Sequence, residues 1–118
     1  MIIKKGCGFD CEFSEGQLSV VLRGEIDHHS AVSVRSAIDE KLYELRPKLF
    51  VMDLSKIDFM DSSGLGLIMG RYALMQKLGG EFCVLNPSER VSKIFELSGL
   101  GRIIKIKKSD SKKEVDTI

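Results

Sequence analysis

The chain has 118 residues, 43% hydrophobic and 30% charged, with a formal net charge of +1. That length suits one domain with a core of its own and is too short for two. The near-neutral balance supplies no overall field for nucleic acid, and no apolar run approaches the roughly 20 residues that span a bilayer, so partners must be sought in local sites.

The N-terminal MIIKKGCGFD lacks the apolar core of a secretion signal, and a cytoplasmic protein is expected. Three cysteines, Cys7, Cys11 and Cys83, form an odd set that does not suggest a disulfide framework; Cys83 reads as core. From Phe9 to Phe13 apolar and polar residues alternate, Ser14-Glu15-Gly16 offers a tight turn, and QLSVVLRG follows as a β-branched run. This pattern predicts an antiparallel hairpin.

After Gly24 the chain is expected to turn through Glu25 to His28. Ala31, Val34, Ile38, Leu42 and Leu45 then fall at steps of three and four, one face of a helix that Asp27 or Ser30 can cap and that Pro47 cannot continue. KLFVMDL predicts a short central strand buried on both faces. From Ser63 to Leu78 a second helix is predicted, with Leu65, Ile68, Met69, Tyr72, Met75 and Leu78 on one side and Gly79-Gly80 as a left-handed stop.

EFCVL reads as another strand. Asn86-Pro87 is expected to open a third helix with proline in its first turn; Val91, Ile94, Phe95 and Ser98 share a face, and Gly99 ends it. RIIKI reads as the last strand. Alternating strands and helices from residue 17 to 106 call for parallel pairing through right-handed crossovers, with an antiparallel strand at one edge. The predicted class is α/β with a mixed sheet, in one domain over residues 1–118, with a core at about 9–106 and a charged tail at 107–118. Functional loops of such sheets gather at the carboxyl ends of strands, where Asp27-His28-His29, Asp61-Ser62-Ser63 and Asn86 are all expected to share one rim.

The stretch FMDSSGLGL, residues 59 to 67, asks for explanation. Aspartate and serine before a helix are preferred caps, each worth ~1 kcal/mol. One cap explains one residue, whereas three polar candidates stand in a row, followed by Gly64 and Gly66, which weaken a helix by ~1 kcal/mol each relative to alanine. A dinucleotide cradle is disfavoured because Gly64, Gly66 and Gly70 are spaced GxGxxxG and not GxGxxG, and no acid ends the next strand. A hydrolase has a parts list in Ser62 or Ser63, His28 or His29, and Asp27 or Asp61, but DSSG is not the GxSxG elbow. Cys7, Cys11, His28 and His29 lack metal-ligand spacing, and no metal or cofactor is expected. There remains a hydroxyl at a helix N-terminus that accepts a phosphoryl group and gains roughly 1.5 to 2 negative charges. The residues alone leave Ser62 and Ser63 equally eligible.

FMDSSGLGLIMGRY, with GEIDHHS upstream and LGGEFCVLNPSERVSKIFELSGLGRIIKI downstream, resembles the bacterial anti-sigma factor antagonists of the STAS domain family over about residues 17 to 106. GEIDHHS and GRY are more similar to antagonists of the sporulation sigma F pathway than to those of general stress. The resemblance implies a mixed four- to five-stranded sheet with helices mainly on one face, and a partner-switching protein without catalysis of its own. It implies that the unphosphorylated form binds an anti-sigma factor serine kinase, frees the sigma factor, and is switched off by phosphorylation of Ser62 and reset by a serine phosphatase. It also implies a docking face of Asp27, His28, His29, Asp61, Ser63, Gly64, Leu65 and Gly66, with Ser63 taking the capping role. General-stress control, an unmodified STAS scaffold and a small serine hydrolase are the alternatives. The lysine-rich tail could meet acidic residues of the kinase in salt-dependent binding.

Overall fold

The computed structural model describes residues 7–108. Five strands and three helices follow in chain order: β1 Cys7–Ser14, β2 Gln17–Ile26, α1 His28–Leu45, β3 Leu49–Met60, α2 Ser62–Leu78, β4 Glu81–Leu85, α3 Glu89–Ser98, a single 3₁₀ turn Leu100–Arg102, and β5 Lys105–Lys107. The strands lie side by side in sequence order, β1 antiparallel to β2 and the other neighbours parallel. Each parallel step moves the same way across the sheet, so right-handed crossovers place all three helices on one face.

The hairpin forms because Glu15 and Gly16 both take positive φ, 50° and 80°, between the paired residues Ser14 and Gln17. Such a two-residue turn matches the twist of the strands it joins. Paired residues build the core in rows across the sheet: Leu18, Phe50 and Phe82 in one, Val20, Met52, Val84 and Ile106 in the next. Phe50 and Phe82 stack with ring centroids 5.1 Å apart. Val34, Ile38 and Leu42 of α1, Leu67, Ile68 and Met75 of α2, and Val91 and Phe95 of α3 cover these rows. Cys83 is buried as expected, whereas Cys11 is exposed on the edge strand. The Cys7 side chain and the tail from residue 109 lie outside the described residues.

Four boundaries differ from the sequence reading. β2 continues through Gly24 to Ile26, so His28 and His29 are the first two residues of α1 and not part of an extended turn. β3 continues to Met60, well beyond the apolar run, and pairs with β2 to its end although it contains two more residues; register shifts between Val21 and Arg23 and between Gly24 and Glu25 absorb the excess. Bulges of this kind hide a strand from pattern reading, because burial there falls on Leu54, Ile57 and Met60 instead of alternating. Pro87 precedes the α3 cap Ser88 and does not sit in the first turn. The residues read as a last strand are split between the 3₁₀ turn and a β5 of three residues.

The α2 face is also rotated from the expected one. Gly64, Leu67, Ile68, Arg71 and Met75 are buried, while Leu65, Met69, Tyr72 and Leu78 are only partly covered. The helix packs against both the sheet and α1, which widens its inner arc beyond a single stripe.

Candidate functional site

Two helices start side by side. Ile26 and Met60 are register partners at the ends of neighbouring parallel strands, and the Asp61 N–H donates to the Ile26 carbonyl at 3.2 Å. One residue beyond each strand end is an aspartate: Asp27 caps α1 and Asp61 caps α2. Each carboxylate accepts first-turn N–H groups that have no partner inside the helix.

At α1 the cap is reciprocal. Ser30 N–H donates to Asp27 Oδ1 at 2.9 Å, Asp27 N–H donates to Ser30 Oγ at 3.1 Å, and the Ser30 hydroxyl donates to the Glu25 carbonyl at 3.0 Å. Both sequence candidates for this cap therefore act together. The Ser30 backbone N–H, chief among the groups bonded to it, holds the Asp27 carboxyl below the usual carboxylate range.

At α2 the Ser63 N–H donates to Asp61 Oδ1 at 2.8 Å, and the Gly64 N–H to the Asp61 carbonyl at 2.9 Å. The cap is thus Asp61 and not Ser63, because the aspartate is the residue with extended backbone just outside the helix. Ser62 is the first helical residue and is exposed, Ser63 is half-buried, and Gly66 is exposed one turn along. Gly64 is buried: a β-carbon there would fall 2.2 Å from Met60 Cγ and 2.7 Å from its sulfur. Packing inside the domain, rather than access for a partner, accounts for this glycine. Gly66 and Gly70 differ, since a β-carbon on either would meet nothing within 4 Å.

The carboxyl-end rim is not level. β4 ends at Leu85, which pairs with Asp53, so Asn86 sits beside Asp53, with its side-chain nitrogen 3.5 Å from Asp53 Oδ2, and not beside Asp61. From Asp53 to Met60 β3 runs a further seven residues, roughly 20 Å at strand rise. Asp27, His28, His29, Asp61, Ser62, Ser63, Leu65 and Gly66 belong to one end of the molecule; Asn86 does not.

His28 and Ser63 line a common groove of about 290 Å³ together with Ala31, Val32, Arg35, Gly66 and Leu67. Among the described residues no hydrogen bond joins either histidine to Ser62 or Ser63. Further along the same seam Arg71 Nε lies 2.9 Å from Asp39 Oδ1, with the Arg71 side chain 6% exposed. Burial pushes the Arg71 guanidinium down from its ordinary value and the nearby Arg35 adds to this, while Asp39 opposes them. Among the described residues no group of histidine, cysteine and acidic side chains could hold a metal, and no helix is long and apolar enough to cross a membrane.

The family profile of the STAS domain matches residues 9–112. The chain belongs to the STAS domain family. An anti-sigma F factor antagonist of Paenibacillus polymyxa is 40% identical over 97 residues, covering 82% of this chain and 83% of the relative. An anti-sigma-B factor antagonist of Bacillus subtilis is 35% identical over 97 residues, covering 82% and 87%. Among solved structures, the unphosphorylated anti-sigma factor antagonist SpoIIAA superposes with a TM-score of 0.77 at 30% identity, over 93% of this chain and 95% of that one. The phosphorylated form of the Bacillus cell fate determinant SpoIIAA superposes with a TM-score of 0.71 at 29% identity, over 93% and 98%. The resemblance and the mixed α/β fold expected from the sequence are borne out, and the match extends past residues 17–106 at both ends.

Proposed function

We propose that this STAS domain is an anti-sigma factor antagonist switched by phosphorylation of Ser62. The unphosphorylated form binds an anti-sigma factor serine kinase and thereby frees a sigma factor. The kinase transfers a phosphoryl group to Ser62, the complex separates, and a serine phosphatase restores the hydroxyl. The domain performs no catalysis itself, contacts neither nucleic acid nor membrane, and acts in the cytoplasm on a sporulation sigma factor.

The observation that carries this reading is the placement of Ser62 as the exposed first residue of α2. A dianion there faces the positive end of the helix, which tolerates it within the domain. Toward a docked partner it adds to the charge of Asp61 and Asp27, so the penalty falls on the interface and not on the fold. Ser63 is less suited, because it is half-buried against the α1–α2 groove. The existence of a relative in unphosphorylated and phosphorylated forms supports the same reading.

Incubation with the cognate anti-sigma factor and ATP, followed by mapping of the phosphate by mass spectrometry, tests the assignment. Phosphate on Ser62 is expected; phosphate confined to Ser63 overturns it. The 35% identity to an anti-sigma-B antagonist favours a general-stress role as the second reading. Which of the two anti-sigma factors the protein retains on a column separates them.

A further inference from the structure

The groove between α1 and α2 has two properties that the capped helix ends do not explain. Its walls are helical stripes, His28, Ala31, Val32 and Arg35 on α1 and Ser63, Gly66 and Leu67 on α2. Within this lining Val32 is 49% exposed, an aliphatic side chain left open to water beside Leu67. Gly66 sits inside a helix at a cost of ~1 kcal/mol relative to alanine, yet nothing in the domain would touch a side chain there. The missing side chain keeps the groove open without serving the fold.

The second property is charge. Arg35 is exposed and, among the described residues, has no ion pair. One turn further along, Asp39 is engaged by the buried Arg71. Two arginines therefore stand near one carboxylate, and the excess positive charge lies at the groove on Arg35. An apolar floor over a glycine, edged by one unpaired cation, suits an aliphatic side chain with a carboxylate close by.

We infer that the α1–α2 groove seats one aliphatic side chain of the anti-sigma factor over Gly66, between Val32 and Leu67, with a neighbouring carboxylate of that partner on Arg35. This rests on the antagonist reading above and extends its docking surface along the seam to Val32, Arg35 and Leu67. The groove is continuous with the acceptor end through His28 and Ser63.

The test is the affinity of the unphosphorylated full chain for its cognate anti-sigma factor at low and high salt. Variants Arg35→Glu and Gly66→Leu are compared with Lys48→Glu, exposed just before the amino end of β3 and so at the opposite end of that strand from the acceptor loop, and melting temperatures confirm folding. At least a tenfold loss is expected for Arg35→Glu, with a weaker salt dependence, and a similar loss for Gly66→Leu, while Lys48→Glu binds as the parent does. Binding of both groove variants within twofold of the parent overturns the groove, whatever Ser62→Asp does. Loss in the groove variants with equal affinities for Ser62→Ala and Ser62→Asp supports the groove and overturns the phosphorylation switch instead. No binding by the parent chain overturns both.

Discussion

Met60, the last residue of β3, lies against Gly64 in the first turn of α2, so closely that a β-carbon on Gly64 would fall 2.2 Å from Met60 Cγ. Met60 is itself buried and cannot swing into solvent without loss. Gly64→Ala should therefore destabilise by about 1–2 kcal/mol, overpacking outweighing the gain in helix propensity. Gly66→Ala should stabilise by up to ~1 kcal/mol, since its β-carbon meets nothing. Urea unfolding of the two variants checks the opposite signs.

Ser62→Ala should bind the anti-sigma factor as the parent does and take up no phosphate. Ser62→Asp should bind at least about tenfold more weakly, since it places one charge where the phosphoryl group places nearly two. Isothermal titration of both variants decides the matter, and equal affinities would exclude an electrostatic gate.

Asp27→Ala should lose the α1 capping box and lower the stability at neutral pH. The folded Asp27 carboxyl titrates below its unfolded value, so its contribution is complete above about pH 4 and disappears as the pH falls through the lower folded value. The stability difference between parent and variant should accordingly shrink as the pH falls below about 4. Denaturant midpoints from pH 7 into strong acid follow it.

Asp39→Ala strips the buried Arg71 of its carboxylate partner and should cost about 3 kcal/mol, near the lower end for such pairs because Asp39 is partly exposed. Replacing both, as Asp39→Leu with Arg71→Met, should restore most of that loss, since two apolar side chains leave no charge stranded between the helices. A double-mutant cycle by thermal unfolding measures it.

Cys11 should react rapidly with a maleimide, and Cys83 slowly. Burial raises the Cys83 thiol above its ordinary value, although Lys107 and Lys105 act against this, whereas Cys11 is exposed. Peptide mapping after timed labelling distinguishes the two, and equal rates would contradict the sheet placement.

The order and type of the main elements were legible because periodicities of two and of three to four residues are written plainly into QLSVVLRG and into Ala31-Val34-Ile38-Leu42. The hairpin turn and the stops at Gly79 and Gly99 were legible from turn chemistry, each adopting positive φ. The full length of β3 was not, because two bulges break its alternation, and with it went the expectation that Asn86 shares a rim with Asp61. The acceptor loop was recognisable, but the division of labour inside it was not: Asp61 caps, Gly64 packs on Met60, and Gly66 alone of the two faces solvent. No motif marks Val32 and Arg35. Their spacing of four and seven residues from His28, along one face of α1, is the available signal.

The overrun of β3 past β4 leaves Ile57 to Met60 laddered to β2 alone, while Phe50 to Asp53 are held by a strand on either side. Amide protons of residues 57 to 62 should consequently exchange with deuterium sooner than those of residues 50 to 53, through openings that leave the central rows shut. The acceptor end can then breathe without melting the rest, and a seated partner would register there first as slowed exchange.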